Sequence, residues 1–98
     1  MAKFRALLKG GNLLIHSDDL QRVVPSSFYV TAFVDAVSRE AAQITALALV
    51  RQSRIYAAAR NASDDPPRVA VETVEEIADW PDGTARPLTG FALYDEKG

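Results

Sequence analysis

The stretch FYVTAFVDAVSREAAQITALALVRQ, Phe28 to Gln52, constrains the fold more than any other part of the chain. Its first ten residues alternate with strand period, so Phe28, Val30, Ala32, Val34 and Ala36 share one face. Tyr29, Thr31, Phe33, Asp35 and Val37 share the other. Both faces are mostly apolar, which predicts a central strand over 28–37 covered on both sides. The period then changes. Ser38 is an N-cap residue and Glu40 follows in the first turn, where a negative charge suits the helix dipole. Strong helix formers continue to Arg51, and a helix over 39–52 is expected. SRIYAAARN extends it or forms a second short helix.

The flanking segments supply the remaining strands. KFRALLK alternates, GGN offers residues that tolerate positive φ, and LLI resumes an apolar run. This pattern predicts a β-hairpin of residues 3–9 and 12–16. HSDDLQRVVPSS reads as a polar connection with a short extended piece at Gln21–Val24. After the NASDDPP breaker, RVAVETVEEIADW is expected as a strand with Val69, Val71, Thr73 and Ile77 on one face. PDGTARP reads as a loop and GFALYDE as a last short strand. The expected fold is α+β, one domain over 1–98. Its antiparallel sheet has about five strands in β-β-β-α-β-β order, with one main helix packed on one face. Phe28, Val30, Val34, Ile44, Leu47, Val69 and Val71 are the expected core.

The totals narrow the functions. A chain of 98 residues makes one small domain, which gains from a partner. Without cysteine it has no disulfide, thiolate metal site or cysteine nucleophile. No run approaches the ~20 apolar residues of a spanning helix. Lys9, Gly10 and Gly11 break the N-terminal apolar segment too early for a signal peptide, so a cytoplasmic location is expected. Residues 1–60 carry a balance of +4 and residues 61–98 one of −6. The net charge of −2 makes a nucleic-acid backbone a poor partner, and no membrane partner is expected.

Several constellations invite chemistry. His16 with Asp18 and Asp19 raises a metal-dependent or hydrolytic site, but one histidine is short of a ligand set and no nucleophile elbow is present. The carboxylates Glu72, Glu75, Glu76, Asp79 and Asp82 read as a solvated acidic strand rather than an acid–base pair. KGGN lacks the spacing of a phosphate loop. Trp80, Tyr94 and Phe91 form a stacking platform or, without a basic groove, cap a small core. No catalytic residue, metal or cofactor is assigned.

On the helix, Ile44, Leu47 and Val50 form one stripe and Ala42, Ala46 and Leu49 a second. The second stripe predicts a contact with a partner, most simply another copy of the chain. A homodimer is therefore expected, through the Leu49 side of the helix or the second face of the 28–37 strand. Glu72 and Glu76 are the candidate contacts for a basic partner.

The chain resembles a family of small uncharacterised bacterial proteins that share a hairpin, a Phe-Tyr strand, an alanine-rich helix and a terminal Gly-Phe strand. That resemblance implies the α+β fold and brings no activity. Ser38, Glu40 and Ala41 are also similar to the strand-to-helix step of HicB-type antitoxins, whose Pro-Asp-Leu-Pro-Gly stretch is absent here. This second resemblance implies an antitoxin-like or immunity-like protein that meets a basic partner through its acidic C-terminal half.

Overall fold

The computed structural model describes residues 1–17, 22–81 and 87–95; for 16, 17, 22–24 and 95 it describes the backbone alone. Two long strands, β1 (Ala2–Ser17) and β2 (Arg22–Ala36), form one antiparallel hairpin. Helices α1 (Arg39–Arg51) and α2 (Arg54–Ala57) follow, then β3 (Arg68–Ile77) and β4 (Leu88–Asp95). The four-stranded sheet has the order β3-β1-β2-β4, antiparallel throughout. β2 and β3 both oppose β1 and so run parallel to each other. The helices between them carry the chain over one face of the sheet.

The architecture is α+β with an antiparallel sheet, as expected, but it has four strands and the order β-β-α-α-β-β. The difference lies at Gly10–Asn12. The expected hairpin of 3–9 and 12–16 is instead one continuous strand, and GGN is a β-bulge inside it. Gly10 pairs with Phe28 and Leu13 with Ser26, so Gly11 and Asn12 together oppose Ser27. Asn12 supplies the left-handed backbone, with φ of 55°. The extra residue inverts the phase of the strand. Phe4, Ala6 and Leu8 face α1 before it, and Leu13 does so after it, all of them buried.

The connection read at HSDDLQRVVPSS is largely strand. β2 begins at Arg22 and passes through Pro25, which pairs with Leu14. Pro25 lies beyond the last described pair with β4, Ser26 and Asp95, where β1 is the one neighbour described in the sheet. A missing N–H is tolerated at such a margin.

A second bulge, at Glu72, inverts the phase of β3. Leu8 pairs with Val71 and Leu7 with Thr73. Val69, Val71 and Val74 therefore line the helix side, whereas Thr73 and Ile77 fall on the other face, contrary to the expected grouping. Bulges of this kind raise the local twist and wrap a sheet around what it covers.

The Ser38 cap expected from the sequence is present, and Ser53 supplies a second. Ser38 Oγ accepts from Ala41 N at 3.1 Å, with Glu40 in the first turn. Ser53 ends α1 by donating to Val50 O at 2.6 Å, and its hydroxyl accepts from Tyr56 N at 3.4 Å to open α2. The helix presents Ala42, Ala46 and Val50 to Phe28, Val30, Ala32 and Val34, and all of these are buried. Phe28, Val30 and Val34 are core as expected. Leu47, Val69 and Val71 are half-buried against it, and Ile44 is 70% exposed.

The tightest contact is between Phe28 and Gly10. A Cβ on Gly10 would lie 2.0 Å from Cε1 of the fully buried Phe28 ring. Gly10→Ala is therefore expected to cost ~1–3 kcal/mol, the range for overpacking a close-packed core. Urea unfolding checks this, and the loss should shrink in a Phe28→Leu background.

Candidate interaction surfaces

One face of the sheet is covered by α1, which packs on β1, β2 and β3. The pleat sends Lys3, Arg5, Leu7 and Lys9 of β1, with Tyr29, Thr31, Phe33 and Asp35 of β2, to the opposite face. This open face carries rings and cations in contact. Trp80, just past β3, meets Phe33 edge-on at 6.1 Å, and Lys3 Nζ lies 5.6 Å from the Trp80 ring centre. Tyr94 meets Tyr29 edge-on at 5.9 Å, and Lys9 Nζ lies 5.8 Å from the Tyr29 ring. Arg5 is bound to Glu75, its Nε donating to Oε1 at 2.6 Å. Both side chains are about half exposed, so the pair contributes ~0–1 kcal/mol.

The expected trio of aromatics is thus divided. Trp80 and Tyr94 belong to the open face. Phe91 lies on the helix side, 5.9 Å from Phe28. The second face of β2 is partly covered by Trp80 and by the Lys9 stem, and not by a second helix.

Where the β1 bulge meets the start of β3, an open groove of about 850 Å³ is lined by Lys9, Gly11, Ser27, Arg51, Arg68 and Glu72, among others. Beside it the loop after α2 is fastened to the bulge. Asn61 Nδ2 donates to Asn12 O at 2.7 Å and to Asp65 O at 2.9 Å. Its Oδ1 accepts from Leu14 N at 3.0 Å, and Arg60 N donates to Leu14 O. Asn12 Nδ2 in turn donates to Asp65 Oδ1 at 2.9 Å. One asparagine thereby serves three backbone groups, two of them on the part of β1 that β3 does not reach.

The two edges of the sheet differ. β3 exposes Glu72, Glu75 and Glu76. β4 exposes Phe91 at 38%, Leu93 at 44% and Tyr94 at 52%. Leu93 pairs with Phe28 and so faces the helix side, while Tyr94 pairs with Ser27 on the open face.

The residues singled out in the sequence do not assemble into one site. Ala42 and Ala46 are fully buried against the sheet and Leu49 is half-buried, so this stripe is the inner face of α1 rather than a docking surface. Alanines at these positions let the helix lie close to the strands. Large residues there would hold it off, so the smaller stripe faces inward. Glu72 lines the groove, whereas Glu76 lies opposite Phe4 on the helix side of the register. Asp79 Oδ1 accepts from Trp80 N at 2.8 Å, and Asp82 lies outside the described residues. His16 is placed in β1 by its backbone, opposite Val23. Its side chain, Asp18 and Asp19 lie outside the described residues. Among the described residues, no three His, Cys, Asp or Glu gather closely enough to hold a metal, and no helix is long and apolar enough to cross a membrane. Lys9, Tyr29, Arg51 and Arg68 were missed as surface residues. Their grouping depends on the bulge and on no local motif.

No family model, curated protein or solved structure matches this chain.

The orientation of α1 is directly testable. Ala46→Leu should cost ~1–3 kcal/mol by overpacking. Ile44→Ala should change stability by less than about 0.5 kcal/mol, as for an exposed position. Paired urea titrations distinguish this arrangement from the reverse one, in which the two effects exchange.

Proposed function

We propose that this protein works by association, as a homodimer in which β4 pairs antiparallel with β4 of a second copy across a twofold axis. The observation that carries this reading is the contrast between the two sheet edges. Edge strands offer a row of unpaired backbone groups, and proteins ordinarily protect them with charge, proline or bulges. β3 has Glu72, Glu75 and Glu76, whereas a bulge interrupts both edge strands and does not distinguish them. β4 has Phe91, Leu93 and Tyr94 exposed, and no charged side chain from Leu88 to Tyr94.

A twofold pairing is self-complementary: where residue i of one copy meets residue j of the other, j meets i in turn, and only a residue at the axis meets its own counterpart. An uncharged strand suits this, because no like charges are brought together. Antiparallel pairing would satisfy the edge backbone groups and bring Leu93 and Phe91 of the two copies together on the helix side, leaving the Tyr94 rings on the open face. The small domain gains the burial that its own length does not supply.

Size-exclusion chromatography with light scattering should return twice the 10.7 kDa monomer mass. Leu93→Lys, which places a charge on the edge, should return the monomer mass with the fold intact, while Ile44→Lys should remain dimeric. A monomer at ~100 μM, well above the range of specific association, rejects the dimer. A dimer that survives Leu93→Lys rejects the β4 contact.

A further inference from the structure

We infer that the open face of the sheet binds single-stranded nucleic acid, laid across the strands from Arg68 and Lys9 to the rings of Tyr29 and Tyr94. This goes beyond the dimer and does not depend on it.

The register places the lane. Lys9 pairs with Ala70 on β3 and with Tyr29 on β2, and Tyr94 on β4 pairs with Ser27 beside Tyr29. All four strands thus contribute at one level of the face opposite α1. At the β3 end, the groove at the sheet edge is lined by Lys9 and Arg68, by Arg51 reaching it from the end of α1 on the covered side, and by Glu72, with Asp65 bonded to Asn12 beside it. Among the described residues, none of the three cations is in an ion pair. Within the groove lining the cations outnumber the carboxylate, a local positive excess in a chain whose net charge is −2. The whole-chain balance spoke against a phosphate backbone because it averages these cations with the acids of the β3 edge.

The groove lining includes Gly11, opposite Arg68, which has no side chain to hold a sugar-phosphate strand away. At the β4 end the chemistry changes to rings. Tyr94 is 52% exposed and braced edge-on by Tyr29, leaving ring surface for a base. Lys9 links the two halves, since it lines the groove and lies over Tyr29. Cations that follow a backbone beside rings that take unstacked bases are the two components of single-strand recognition. A duplex hides its bases from such rings, and an acidic peptide has no base to stack.

Fluorescence anisotropy with labelled oligothymidine and oligouridine of ~12 nucleotides tests this at ~50 mM salt, where phosphate contacts are strong. Saturable binding is expected. Lys9→Ala and Arg68→Ala should each weaken it and lower the salt slope by about 0.7, one phosphate contact apiece. Tyr94→Ala should weaken it by about tenfold or more, and Tyr94→Phe should retain it. Circular dichroism and light scattering on the same samples separate misfolding and loss of the dimer from loss of binding. Absence of binding overturns the proposal. So does equal affinity for a duplex, equal competition by polyglutamate, or an unchanged affinity in Tyr94→Ala.

Discussion

The contact of Phe28 with Gly10 is the constraint on which the rest of the sheet depends. The aromatic ring occupies the space where any other residue at position 10 would place its Cβ. It thereby fixes which residue of β1 lies opposite which residue of β2. Sliding the register by one residue would bring Phe28 against Lys9 or Gly11 and send the even-numbered residues of β2 to the wrong face. With the register held on one side of position 10, the extra residue at Gly11–Asn12 must be absorbed locally. The left-handed backbone of Asn12 absorbs it. Leu13 then enters the core in place of Leu14, and β1 continues as one strand long enough to carry both neighbours.

The bulge also decides what can attach beside it. β3 begins at Arg68, opposite Gly11, so the last part of β1 lacks a strand on that side. A buried backbone group left without a partner costs ~1–3 kcal/mol. Asn61 and Arg60 supply partners there for Leu14, and Asn61 also satisfies the carbonyl of Asn12. The polar segment NASDDPP is thus a side-chain substitute for a strand, shaped by the length of β1. The groove beside it follows from the same geometry, since glycines and the strand start meet there.

How far the sequence discloses this structure varies by element. The strand over 28–36, the helix and its Ser38 cap are legible because each rests on period and on hydrogen bonds made within a few residues. GGN is not legible in the same way. A turn and a bulge ask for the same left-handed residues, and only the long-range contact of Gly10 with Phe28 separates them. The inner face of α1 was obscured for a related reason. Hydrophobicity ranks Ile44 above Ala42 and Ala46, but close approach to a sheet favours the smaller residue, and Ile44 is left exposed. Of the surfaces, the aromatic and basic residues are visible individually. Their grouping follows from three bulges that shift phase in β1, β3 and β4.

The two proposed activities use different parts of one asymmetric sheet. Acid is concentrated on the β3 edge, where Glu75 also binds Arg5 and so neutralises the middle of the open face. Lys9 and Arg68 lie toward the bulge end, and β4, uncharged from Leu88 to Tyr94, lies at the far edge. Pairing of β4 across a twofold would leave both open faces on the same side of the enlarged sheet, because antiparallel edge addition about an axis normal to the sheet preserves sidedness. The Tyr94 rings of the two copies would then stand near the centre, with a cationic groove at each outer end. A single strand crossing such a surface would meet phosphate contacts, rings, and phosphate contacts again. Linking two weak lanes in this way raises avidity without any new contact. An uncharged edge and a charged, ring-bearing face on one strand order thus serve association and binding without competing for the same side chains, apart from Tyr94 where the two surfaces meet.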